Sequence, residues 1–173
     1  MRSTGILPDS EIAGLFEAGA LVSERALDPD QIQPASLDLR LGAKAYRVRA
    51  SFLPGPSHPV IDKLERLKLH EIDLRDGAVL ETGCVYIVPL LESLALPAEI
   101  SASANPKSST GRLDIFTRVI GDRVSAFDTL PAGYQGKLYL EIAPRTFPIL
   151  VRRGSRLSQI RFRRGEAKLD AKE

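Results

Sequence analysis

The chain has 173 residues, 43% of them hydrophobic and 27% charged, a globular balance that excludes disordered, collagen-like and coiled-coil chains and suits one domain. Its 24 Lys and Arg against 22 Asp and Glu leave a net charge of +2, too even for a general nucleic-acid coat. No run approaches the roughly 20 apolar residues that span a bilayer, Met1 to Gly5 leads into no signal-peptide core, and the one cysteine, Cys84, cannot pair internally, so the expectation is a cytoplasmic protein without membrane or nucleic-acid partners.

Taken in order, Pro8-Asp9-Ser10 reads as a helix start, and Ile12, Leu15, Phe16 and Gly19 follow at helical spacing, which predicts a short amphipathic helix ending near Gly19. Gln33 to Ser36 is turn-like. Leu37-Asp38-Leu39-Arg40-Leu41 then alternates as a strand closed by Gly42, and Ala45 to Arg49 alternates again. Ser51 to Pro59 carries Pro54, Gly55, Pro56 and Pro59 and reads as a loop; Lys63 to His70 is charged and fits neither template. Strands are predicted at Val79–Glu81, Cys84–Val88 and Ile100–Ala104, the last ending by Pro106. The second half adds strands at Ile115–Ile120, Lys137–Ile142, Ile149–Arg152 and Leu157–Arg163, separated by turns at Ala132–Gly136 and Gly154–Ser155. Short strands with turn signals about every 8 to 12 residues predict a mainly β barrel or sandwich with few helices. The whole chain, 1–173, reads as one domain with a core over about 6–164 and a polar tail over 165–173.

Two histidines, His58 and His70, and one cysteine leave no four-ligand zinc set and no His-x-Glu with Cys-x-x-Cys pair. Chemistry therefore falls to carboxylates, hydroxyls, arginines and water. Four segments are candidates. In Lys107-Ser108-Ser109-Thr110-Gly111-Arg112, two hydroxyls sit between a point charge and a bidentate donor. A helix start there would suit phosphate; the alternative is a plain Ser cap with solvated charges. In Leu138-Tyr139-Leu140-Glu141-Ile142, a strand would send Tyr139 and Glu141 to one face. That face is either solvent or a pocket in which a buried carboxylate moves protons. Asp128, ahead of the turn Ala132 to Gly136, either caps it or binds a sugar hydroxyl or a hydrated metal. The arginines Arg152, Arg153, Arg156, Arg161, Arg163 and Arg164 either bind phosphate or nucleic acid or, alternating with Ile160 and Phe162, form one solvated face of a strand.

Together these segments carry a resemblance. Gln33-Pro34-Ala35-Ser36-Leu37-Asp38-Leu39-Arg40-Leu41-Gly42 resembles the N-terminal hallmark of dCTP deaminases, and Lys107-Ser108-Ser109-Thr110-Gly111-Arg112 the family's central Lys/Arg-Ser-Ser-x-x-Arg motif. Gly133-Tyr134-Gln135-Gly136, with Glu141 five residues on, resembles the turn before the family's catalytic glutamate strand, and Gly154 to Phe162 the Pro-Gly-x-x-x-x-Gln-hydrophobic-x-Phe segment, with Gln159 at the glutamine. The initial helix and the Leu94-Ala95-Leu96-Pro97 step fit as well, so the likeness runs from about Ile6 to Phe162. Within the family it is to a longer, tandem type, of which this chain resembles the first half.

The resemblance implies a dUTPase-like distorted β-barrel or jelly roll, assembled as a homotrimer or larger homo-oligomer with sites between subunits. It implies hydrolytic deamination of dCTP to dUTP and ammonia without a catalytic metal, with Mg2+ bound to the triphosphate. Carried onto matching positions, it makes Glu141 the proton carrier, Ser108 the holder of water or oxyanion, and Arg112 the orienter of that hydroxyl or of the carboxylate from a neighbouring subunit. Lys107 and Ser109 would bind phosphate oxygens, Asp128 the deoxyribose 3′-hydroxyl, Tyr134 would shape the turn over the sugar, and Gln159 falls among the substrate-binding positions. Departures are Pro106 in place of a glycine, a longer stretch from Arg112 to Asp128, Thr129 to Ala132 in place of a tighter Asp-Pro-Gly, and no clear counterpart of the C-terminal arm after Arg164. Two alternatives stand beside deamination. One is a dUTPase-like pyrophosphatase in which Asp128 and magnesium activate water; the other is a non-catalytic nucleotide-binding or oligomerising half.

Overall fold

The computed structural model describes residues 4–166; the last part of the expected tail, 167–173, lies outside them. The opening helix forms where its spacing predicts. In α1 (Asp9–Glu17), Ile12 and Leu15 supply the buried stripe, while Asp9 and Glu11 in the first turn complement the helix dipole. Gly19 ends it at φ 71°. Its N–H donates to Phe16 O at 3.1 Å and that of Ala20 to Leu15 O at 2.8 Å, the paired bonds of a Schellman stop.

Two short strands flank this helix, β1 (Gly5–Ile6) and β2 (Leu21–Ser23). Then follow β3 (Ile32–Gln33), β4 (Ser36–Arg40), β5 (Lys44–Val48), α2 (Val60–Leu67), β6 (Lys68–Asp73) and β7 (Ala78–Leu80). The long strands β8 (Val85–Ala95) and β9 (Ile100–Pro106) lead to α3 (Ser108–Arg112) and β10 (Ile115–Gly121). The chain closes with β11 (Thr129–Leu130), β12 (Gln135–Pro144), β13 (Ile149–Val151) and β14 (Arg156–Arg164).

One sheet has the order β11-β9-β14-β4-β3, with β1 joined to β14; the other has β10-β12-β8-β5-β6, with β2 joined to β8; β13 and β7 pair separately. Neither sheet closes on itself. The mainly β, few-helix architecture is the one predicted, in the form of a distorted jelly roll rather than a closed barrel. A single apolar core joins the sheets through residues such as Leu37, Leu39, Ile160 and Phe162 on one and Ile87, Leu138, Leu140 and Ile142 on the other.

The ambiguous stretch Lys63 to His70 is the seam between two elements. Val60 and Leu64, both fully buried, dock α2, and the chain then extends into β6. The strand predicted at Cys84–Val88 runs on to Ala95. Pro89 conceals this from sequence, because proline gives the ladder no N–H and sits in sheets at irregularities. The register of β12 against β8 shifts beside it, between Lys137 and Tyr139.

The alternation in β4 has an unexpected consequence. Leu37 and Leu39 face the core, yet Ser36, Asp38 and Arg40 on the opposite face are buried too. Arg40 spends all five side-chain N–H donors. Nε donates to Glu92 Oε1 at 2.8 Å, Nη1 to Ala26 O at 2.9 Å and Asp28 at 3.3 Å, and Nη2 to Ser23 Oγ at 2.8 Å and Arg25 O at 3.1 Å. Gln31 Nε2 adds bonds to Glu92 Oε1 and Asp38 O, both 2.8 Å. This polar layer fixes the segment between β2 and β3 over the strand.

Candidate active site

The strand β12 lies between β10 and β8, so its register is held on both edges. That register sets Glu141 opposite Arg118 of β10 and Ile87 of β8. Glu141 is only 2% exposed, which removes the reading of it as a solvated side chain. Arg118 donates to Glu141 Oε1 from Nε at 3.0 Å and from Nη2 at 2.8 Å. Ser51 Oγ donates to Oε2 and accepts from Arg118 Nη2 at 2.8 Å. The Arg118 guanidinium lies 3.6 Å from the centroid of the Phe127 ring and 4.9 Å from that of Phe116, a stacking that fixes its plane.

Arg118 and Asp128 line a cleft of about 520 Å³ with Pro106, Gly111, Phe116 and Arg145. Asp128 holds a left-handed backbone, φ 57°, of the kind short polar side chains tolerate. Its N–H donates to Val119 O at 2.9 Å, and its Oδ1 accepts the Val119 N–H at 2.7 Å. Burial pushes its carboxyl above the usual range; the Val119 N–H and the Arg118 charge oppose that, and Glu141 adds to it.

The hydroxyl motif forms the short helix α3, with Lys107 rather than a serine in the cap position and no side-chain cap bond. Thr110 Oγ1 ties it to Leu157 O at 2.7 Å. Ser108 and Ser109 stay exposed. Arg112 Nε and Nη2 reach Ser108 O and Oγ, each at a long 3.4 Å. Among the described residues no hydrogen bond links Ser108 or Arg112 to Glu141 within the chain. Lys107 pairs with the buried Asp38, whose Oδ2 also lies 3.7 Å from Arg156 Nη1. Gln159 sits on β14 opposite Asn105 and Asp38, and its Oε1 accepts from Ser36 Oγ at 3.3 Å.

Tyr134 is buried within its own turn. Its hydroxyl donates to Lys137 O at 2.6 Å and accepts the Asp122 N–H at 2.7 Å, and burial raises the pKa of the phenol. A Cβ on Gly121 or Gly136 would come within 2.8 Å of that hydroxyl. Both glycines are needed for the ring to brace the turn.

The structure thus brings Asp128 and Arg118, the partner of the buried Glu141, to one cleft, with α3 at its rim through Gly111, and sets Lys107 and Gln159 on the β9–β14 side beside Asp38. Among the described residues no group of three or more His, Cys, Asp or Glu is placed to share a metal ion, and no helix is long and apolar enough to cross a membrane. Sequence reasoning missed Arg118, Ser51, Asp38 and Arg156 as partners of the candidate residues. The outward position of Arg118 in an apolar strand was the one available signal; the others depend on register and loop path.

The model of the 2'-deoxycytidine 5'-triphosphate deaminase (DCD) N-terminal domain matches residues 3–166. The chain is 33% identical over 167 residues to a dCTP deaminase of Shewanella amazonensis, covering 91% of this chain and 82% of the relative. It is 34% identical over 161 residues to one of Haloarcula marismortui, covering 91% and 79%. Among solved structures, 2'-deoxycytidine 5'-triphosphate deaminase from Agrobacterium tumefaciens superposes with a TM-score of 0.94 at 73% identity, over 98% of this chain. This chain spans about half, 51%, of that longer one. With its motifs in order along a matching fold, the chain belongs to the dCTP deaminase N-terminal domain family.

Proposed function

We propose that the chain hydrolyses dCTP to dUTP and ammonia in cytoplasmic pyrimidine deoxynucleotide metabolism, with Glu141 as base and then acid. The observation that carries this reading is a carboxylate 2% exposed on a doubly paired strand, bound by Arg118 beside an open cleft. Such a group is preorganised for proton transfer rather than for solubility. Water adds to C4 of the cytosine ring as Glu141 takes its proton and passes it to the ring nitrogen. The tetrahedral carbon then collapses as the amino group receives the water's second proton, carried by Glu141, and leaves as ammonia. Ser108 holds the water or the developing oxyanion, and Arg112 orients that hydroxyl.

Since α3 makes no hydrogen bond to Glu141 within one chain, Ser108 and Arg112 are supplied to it by a neighbouring copy in a homotrimer. Lys107, Ser109 and Gln159 take the triphosphate, which brings its own magnesium as part of the substrate. Asp128 accepts from the sugar 3′-hydroxyl over the turn that Tyr134 braces. Several relatives carry the name dCTP deaminase, which supports the choice of substrate.

The test incubates the protein with dCTP and magnesium and follows ammonia, dUTP, dUMP and pyrophosphate together. Ammonia is expected, and Glu141→Gln should reduce it by about 10²- to 10⁴-fold, the usual contribution of a positioned acid–base. Undiminished ammonia from that variant would falsify the mechanism. Pyrophosphate without ammonia would replace it with the pyrophosphatase reading. Nucleotide binding without either product would leave a non-catalytic half.

A further inference from the structure

We infer that Arg118 and Ser51 are positioning residues that leave Glu141 a single usable oxygen, Oε2, for the proton. The inference rests on the reading of Glu141 as the base. A carboxylate offers about four acceptor positions, two per oxygen. Arg118 fills both on Oε1 with Nε at 3.0 Å and Nη2 at 2.8 Å. Ser51 fills one on Oε2. One position remains, on Oε2.

The arrangement is fixed at each corner. Arg118 stacks on Phe127 and Phe116 while its side chain stays 28% exposed towards the cleft. Ser51 belongs to a loop anchored by the buried Phe52 and Pro54. Lys63 Nζ donates to Leu53 O at 2.6 Å and Gly55 N to Val124 O at 3.1 Å in the same loop. The third side of the triangle, Arg118 Nη2 to Ser51 Oγ at 2.8 Å, locks the two partners to one another.

This geometry has a chemical consequence. A guanidinium stays protonated in proteins and cannot exchange protons with the substrate. A proton arriving from water must therefore lodge on Oε2, and it leaves from the same atom. Oε1 stays bound throughout, so the carboxyl does not have to rotate between accepting and giving back the proton. Pickup and delivery take place at one point beside C4 and its ring nitrogen.

The experiment measures kcat and KM for ammonia release from dCTP by the wild-type protein and by Arg118→Ala, Arg118→Lys, Ser51→Ala, Ser51→Thr and Glu141→Gln, with thermal melts as a folding control. Arg118→Ala should lower kcat about 10²-fold with little change in KM, the scale of a misplaced reacting group. Added guanidinium ion should restore part of that loss, and Arg118→Lys should fall between. Ser51→Ala should lose about tenfold, one hydrogen bond's worth, and Ser51→Thr should recover it. A kcat for Arg118→Ala and Ser51→Ala close to wild type, with Glu141→Gln inactive, overturns the inference and leaves the proposed function standing. Ammonia release unimpaired in Glu141→Gln, or absent from the wild type, overturns the proposed function itself. Independently of rates, a crystal of the wild-type protein with an unreactive dCTP analogue should hold a water on Oε2; a water on Oε1 refutes the assignment.

Discussion

Replacing Glu92 by alanine tests whether the buried polar layer behind β4 holds the fold together. Glu92 is 1% exposed and Arg40 2%. The carboxylate accepts Gln31 Nε2 and Arg40 Nε on Oε1 and the Arg40 N–H on Oε2, each at 2.8 Å. Its removal leaves the buried Arg40 Nε–H and backbone N–H desolvated with no acceptor, and Arg40 without the carboxylate that faces it from β8. Breaking a buried ion pair from one side typically destabilises by about 3 to 5 kcal/mol. Against a total of roughly 5 to 15 kcal/mol that is a large share. For a domain of this size it corresponds to a fall of about 6 to 20 °C in Tm. Urea unfolding and a thermal melt read it directly.

The double change Glu92→Leu with Arg40→Met sharpens the test. Swapping a whole buried pair for apolar groups is often neutral. Here Arg40 also donates to Ala26 O, Arg25 O and Ser23 Oγ, so the double variant frees the segment between β2 and β3 and does not return to wild-type stability. A loss below about 1 kcal/mol for Glu92→Ala would refute the reasoning, because it would mean the layer admits water freely enough to solvate Arg40.

Two other perturbations follow from the same geometry. A Cβ at Gly42 would stand 2.6 Å from Pro89 O, the carbonyl that accepts the Gly42 N–H at 2.8 Å. Gly42→Ala should therefore cost about 1 to 3 kcal/mol in urea unfolding, and a neutral result would mean that the β8 irregularity shifts freely. At Asp128, burial raises the folded carboxyl above its ordinary 3.8, so the native state holds the proton more tightly than the unfolded chain. The associated stability is complete below that ordinary value and is lost as pH rises through the folded one. Asp128→Asn keeps an acceptor for the Val119 N–H. It should flatten that slope, leave stability at neutral pH equal or higher, and raise KM for dCTP; a variant clearly less stable at neutral pH would contradict the burial argument.

What the sequence revealed and concealed follows from the range of the interactions. The stop of α1 at Gly19, the loop over Ser51 to Pro59 and the strand carrying Glu141 are local, written in spacing and in glycine and proline. The burial of Asp38 and Arg40 is not. An alternating Leu-Asp-Leu-Arg-Leu strand reads as half-solvated, and only the distant segment through Gln31, together with Glu92, Lys107 and Arg156, covers its polar face. Glu92 was equally concealed, because Pro89 breaks the pattern of the strand that carries it. The pairing of Arg118 with Glu141 needs the β10–β12 register, in which a slip of one residue would send Arg118 to the opposite face.

The candidate site is therefore unequal in its construction. Glu141 stands on a strand paired at both edges, braced from β10 by Arg118 and from the proline-rich loop by Ser51. Its position is set by the chain's own fold. Ser108 and Arg112 stand on a five-residue helix whose firm anchor is Thr110 and whose outer face is exposed. Leu113 and Phe116 beside it are 50% and 38% exposed, apolar surface adjoining the residues that the proposed function draws from a neighbouring copy. On the proposed function, a fold that fixes the Glu141 carboxylate internally and presents the Ser108 hydroxyl on an open, partly apolar rim fits a reaction centre completed by docking.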